Sequence, residues 1–116
     1  MLTKTVTERL KTPPASMSGV VFGTVFSDHM FCMDWEDGKG WHNAEIKPYA
    51  PLILEPSSMV LHYAQMAFEG LKAYRTDSGE HVLFRPRENF KRMNRTAQRM
   101  CLPELDVEEV LSALKQ

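Results

Sequence analysis

Cysteine, glycine and net charge are all in short supply in this chain, and each shortage removes a class of function. There are two cysteines in 116 residues, Cys32 and Cys101. They form no CxxC pair, which rules out a disulfide framework and a zinc ribbon. Cys32 lies in the apolar run Met30-Phe31-Cys32-Met33 and reads as an inert packed thiol. The six glycines include no GxGxxG and no Walker loop, and no nucleophile elbow occurs. Fourteen basic residues stand against fifteen acidic ones, for a net charge of −1. That balance argues against a dedicated nucleic-acid or membrane-surface protein. No apolar run is long enough to span a bilayer. His42, His62 and His81 have no partner at metal-ligand spacing. Asp34 and Asp37-Gly38 lack the remaining ligands of a calcium loop. Internal repeats and low-complexity tracts are also missing.

What remains is ordinary globular material, 43% hydrophobic and 25% charged. The length suits one domain with a modest core. Residues 1–19 carry Lys4, Arg9 and Lys11 among threonines, as an organelle-targeting segment would. Glu8 and Pro13-Pro14 work against that reading, and a flexible arm is expected. A small α+β domain should occupy 20–116. Reduced thiols place the protein in a cytoplasmic setting, with a mitochondrial one as the alternative.

Val20 to Phe26 and His29 to Trp35 are rich in aromatic and β-branched or Met side chains and read as strands, as does the short run Leu52-Ile53-Leu54. Glu36 to Gly40 is a turn. Pro56 suits a helix start, Val60, Tyr63, Ala64, Ala67 and Phe68 share one helical face, and Gly70 suits the stop. Leu71 to Tyr74 and His81 to Phe84 flank a turn and read as a hairpin. Pro86 opens a helix expected to reach Met100. A last amphipathic helix has Asp106 at its cap and Val107, Val110, Leu111 and Leu114 as its stripe. The chain ends inside that pattern, so a piece of a larger protein is expected.

The Pro86–Met100 helix is the strongest site candidate. Arg87, Lys91, Arg92, Arg95 and Arg99 lie on it, Arg85 precedes it, and Glu88 is its one acid. At roughly 100° per residue, Phe90, Met93, Ala97 and Met100 form an apolar stripe opposite most of the charge. A solvated basic face accounts for the set. Arg92 and Arg85 fall at the border of the stripe, where a guanidinium can reach a cleft and grip a phosphate or carboxylate by two parallel hydrogen bonds. Periodicity does not separate that role from a structural ion pair. Tyr63 and Phe68 either fill the core or wall an apolar pocket.

Six blocks carry a resemblance: Asp37-Gly38-Lys39-Gly40-Trp41-His42-Asn43-Ala44, Leu61-His62-Tyr63-Ala64-Gln65, Ala67-Phe68-Glu69-Gly70-Leu71-Lys72-Ala73-Tyr74, Phe84-Arg85-Pro86-Arg87, Arg92-Met93 and Leu102-Pro103. In this order they resemble the branched-chain amino-acid aminotransferases, from about Val20 to Pro103. The resemblance implies the small N-terminal α+β domain of a fold-type-IV enzyme, with a mixed sheet and packed helices. It implies pyridoxal 5'-phosphate (PLP) as cofactor, a homodimer, and transamination of leucine, isoleucine and valine with 2-oxoglutarate or glutamate. Arg92 matches the arginine that binds the PLP phosphate. Tyr63 and Phe68 match residues of the substrate pocket, the tyrosine reaching the partner subunit's site. The Gly-Lys-Gly-Trp-His and Tyr-Ala-Gln blocks set the chain apart from related enzymes for D-amino acids or aminodeoxychorismate.

One departure matters. The lysine that holds PLP covalently in the family, and the glutamate facing its pyridine nitrogen, lie in the large domain and have no counterpart here. Lys72 lies in a family block, but a different one. No catalytic residue is therefore assigned, and the 116-residue chain alone is expected to be inactive. A non-catalytic binding or regulatory module derived from that domain is the alternative. A nucleic-acid contact through the basic helix ranks below both, because no aromatics interleave with the basic face.

Overall fold

The structure, a computed structural model, describes residues 2–116. The chain separates into two compact units, one ending at Ile53 and one from Leu54 to Gln116. Together they hold a mixed α+β set of elements.

The first unit is a mixed three-stranded sheet. β1 is Thr3–Lys4, β2 is His29–Glu36 and β3 is Gly40–Pro48. The order is β1-β3-β2, with β1 parallel and β2 antiparallel to the central β3. The β2–β3 turn needs Gly38 and Gly40, both at positive φ, and closes with the Lys39 amide donating to the Glu36 carbonyl at 3.1 Å. Trp35 then faces Trp41 across the ladder. On β3 the burial alternates, with Ala44 and Ile46 inside, as one packed face requires.

Two expected strands are absent. Residues 20–26 form a turn, with the Thr24 amide and hydroxyl both donating to the Val21 carbonyl. Residues 52–54 are irregular and exposed, Ile53 at 99%. An apolar triplet without a neighbouring strand has no partner for its backbone groups and does not become one. Within residues 1–19, β1 pairs with β3, and the Lys11 amide donates to Asp28 Oδ1 at 2.8 Å.

The second unit contains α1 (Met59–Tyr63), β4 (Ala73–Arg75), β5 (His81–Leu83), α2 (Pro86–Met100) and α3 (Val107–Leu114). The β4–β5 hairpin turns through Gly79 at φ 86°, with the Thr76 amide donating to the Glu80 carbonyl. Helix α2 has the expected bounds. Pro86 fills its first turn, and the Leu102 amide reaches back to the Ala97 carbonyl at 2.9 Å across a left-handed Cys101. Asp106 caps α3 as expected, its Oδ1 accepting from the Glu108 and Glu109 amides. Helices α2 and α3 pack together. They supply the buried apolar residues of this unit: Phe90, Ala97, Leu111 and Ala113.

The α1 helix is much shorter than the expected 56–70 segment. It stops at Tyr63, where Ala64 turns left-handed at φ 49°, and residues 64–72 are irregular. Ser58 provides no side-chain cap, and no residue of α1 is buried. A single turn without a covered face has too little to offset its ordering entropy, so it does not propagate.

Candidate functional site

The site is built on one face of α2. Asn89 and Arg92 are three residues apart, so their side chains leave the helix on the same side. Both reach the irregular segment after α1, at Glu69 and Gly70. The Arg92 Nε donates to Glu69 Oε2 at 2.7 Å, and its Nη2 donates to Oε1 of the same carboxylate. Asn89 Nδ2 donates to Glu69 Oε1 at 3.1 Å and to the Gly70 carbonyl at 2.9 Å. The Gly70 amide adds a third kind of donor to Oε1 at 3.1 Å.

The two partners differ in exposure. The Glu69 side chain is 8% exposed and that of Arg92 is 58% exposed. The Arg92 hydrogen bonds hold the Glu69 carboxyl down at about 2, with Asn89 and the Gly70 amide assisting against the opposing pull of desolvation. Glu69 is therefore ionised at neutral pH. The Arg92 pKa is raised by the same pair.

Periodicity left Arg92 between a ligand clamp and a structural ion pair, and the geometry gives it an ion pair that leaves part of the guanidinium over. Arginine has five N–H donors. Glu69 takes the side formed by Nε and one Nη2 proton. The outer edge, Nη1 with the second Nη2 proton, has no hydrogen bond to the protein among the described residues. That edge is itself a two-donor fork of the right shape for a phosphate or carboxylate.

Other basic residues of α2 are spent differently. Arg87 forms a two-bond pair with Glu108 of α3, at 2.6 and 2.9 Å, and Lys91 pairs with Glu88. Arg85 sits at the helix cap in a left-handed conformation. It borders an open depression of about 280 Å³ lined with Phe84, Glu88 and Asn89. Arg92 is not part of that lining.

Tyr63 ends α1 and is 76% exposed, and Phe68 directly precedes Glu69 and is 77% exposed. Neither fills a core in this chain. Glu69 was not singled out by sequence reasoning. It lies 23 residues from Arg92, beyond the reach of any helix-spacing rule, and only its place in the Phe-Glu-Gly block marked it.

No family model matches the chain. Curated proteins do. It is similar to branched-chain-amino-acid transaminase 1 of Bacillus subtilis (strain 168), with 57% identity over 113 residues, 97% of this chain and 31% of that protein. Branched-chain-amino-acid aminotransferase 2 of the same organism is 47% identical over 112 residues, again 97% of this chain and 30% of that protein. The cytosolic branched-chain-amino-acid aminotransferase of Saccharomyces cerevisiae is 48% identical over 111 residues, 96% of this chain and 30% of that protein. The chain spans about a third of the length of the curated relatives it matches. Its blocks, their order and this identity make the chain similar to a stretch, about a third in length, of these branched-chain-amino-acid aminotransferases.

Proposed function

We propose that the whole protein transaminates leucine, isoleucine and valine with 2-oxoglutarate or glutamate, and that this chain supplies its cofactor-phosphate clamp and part of its substrate pocket. The observation that carries this reading is the 57% identity to a branched-chain transaminase over 97% of the chain. The fold is read as the small domain of the fold-type-IV enzymes, working as a homodimer.

The donor set suits PLP, whose phosphate needs several N–H groups and a positive charge. When bound, PLP supplies the electron sink that transamination requires. Arg92 presents its outer fork to the phosphate and balances part of its charge. Phe68 offers an apolar wall to a branched side chain, and Tyr63 serves the pocket of the other subunit. Apolar walls favour leucine over polar amino acids through burial, and each methylene discriminated contributes about 1 to 3 kcal/mol.

The test is Arg92→Ala in the full-length protein, read by equilibrium titration with PLP. A charge-assisted contact of this kind contributes about 1.5–3 kcal/mol, so the dissociation constant should rise at least about tenfold with secondary structure unchanged. An unaltered constant removes Arg92 from the phosphate site.

A further inference from the structure

We propose that Glu69 is a positioning residue for anion recognition: it grips Arg92 from the side so that a phosphate monoester meets only the outer Nη1–Nη2 fork. The inference rests on the clamp reading above and adds a residue that reading does not require.

The geometry distinguishes this from an incidental surface pair. Both carboxylate oxygens are used by Arg92, and one of them also accepts from Asn89 and the Gly70 amide. The carboxylate is nearly covered while the guanidinium is more than half exposed. An exposed pair formed by chance would leave both ends wet and mobile. Here one end is anchored by backbone and helix, and the other points its spare donors outward. A guanidinium held on two of its donors loses the rotation about its long stem, so an anion need not pay for ordering it again.

The same anchor has a second consequence. Glu69 follows Phe68 directly, and Asn89 also holds the Gly70 carbonyl. The segment bearing Phe68 and the helix bearing Arg92 are therefore tied together next to Phe68. Disturbing Glu69 should be felt at both positions, whereas disturbing Arg85 should not.

A double-mutant cycle in the full-length protein tests this, using Glu69→Gln, Arg92→Ala and the pair. The amide keeps the volume of the carboxyl but cannot accept two charged hydrogen bonds. The ligands are PLP and pyridoxal, which lacks the phosphate. Glu69→Gln should weaken PLP about tenfold, in line with one lost charge-assisted contact, and leave pyridoxal within about twofold. In the Arg92→Ala background the Glu69→Gln change should have no further effect on PLP. Glu69→Asp should recover part of the loss.

Independent losses that add in the double variant, an equal loss for pyridoxal, or unchanged or tighter PLP binding with Glu69→Gln would each overturn the proposal. A separate readout needs no ligand. The Arg92 Nε proton should give a slowly exchanging ¹⁵N-resolved signal in the wild type and lose that protection in Glu69→Gln. If that signal behaves as expected while Arg92→Ala leaves PLP affinity unchanged, the phosphate-clamp reading fails and the side-on grip stands. If the signal is unprotected in the wild type, the grip itself fails.

Discussion

Helices α1 and α2 follow similar sequence signals and end very differently. Each follows or contains a proline at its start, each carries an apolar stripe, and neither has a side-chain cap at its N-terminus. The first lasts five residues and buries nothing, while the second lasts fifteen and buries Phe90 and Ala97. What separates them is a partner. Helix α3 lies against α2, and Asn94 secures the connection by exchanging hydrogen bonds with both backbone groups of Leu105, at 2.8 and 2.9 Å. Among the described residues no such cover lies over α1, where Met59, Leu61 and Tyr63 are all at least half exposed. A stripe becomes a long helix when something removes it from water.

The comparison breaks most readily at Leu111, which is 2% exposed. Leu111→Ala should destabilise the α2–α3 pair by about 2–5 kcal/mol, measured by denaturant unfolding. A cost under about 1 kcal/mol would mean the pair is not the stabilising unit. Asp106→Ala should cost about 1 kcal/mol through loss of the α3 cap, seen in the same experiment with an unchanged denaturant slope.

Smaller again is the contribution of the Glu69 contact, because its arginine partner is wet. Its sign is definite. The folded pKa of about 2 lies below the ordinary carboxylate value of 4.5, so the contact stabilises above that value and fades as pH falls toward 2. The stability gap between wild type and Glu69→Gln should therefore stay constant near neutrality and shrink in acid. A gap that widened in acid would contradict the pairing. The smallest effect belongs to Leu61→Ala in this chain, within about 0.5 kcal/mol, since Leu61 is 58% exposed. The same substitution as at Leu111, with about a quarter of its cost or less, sharpens the contrast between the two helices.

How much was legible in the sequence follows from the same contrast. The bounds of α2, the β4–β5 hairpin, the β2–β3 turn and the Asp106 cap could all be read locally, because prolines, glycines and a capping carboxylate act on neighbours a few residues away. The reading failed at 20–26, at 52–54 and beyond Tyr63, where apolar residues lacked a packing partner in the chain. At the candidate site, Arg92 was visible from its position beside the stripe, but its partner was not. Helical periodicity reports which way a side chain points and says nothing of what another segment brings to meet it.

The sequence by itself determined where α2 and α3 begin, which face of each is apolar, and that Arg92 stands at the edge of that face. It also carried the likeness to a branched-chain-amino-acid transaminase, through 57% identity over 113 residues. Only the tertiary structure decided that Glu69 meets Arg92 from the side and that one fork of the guanidinium stays open. Local signals act through the rigid geometry of a few adjacent residues. The Glu69–Arg92 grip joins groups 23 residues apart, and it exists only once the intervening chain has turned back on itself.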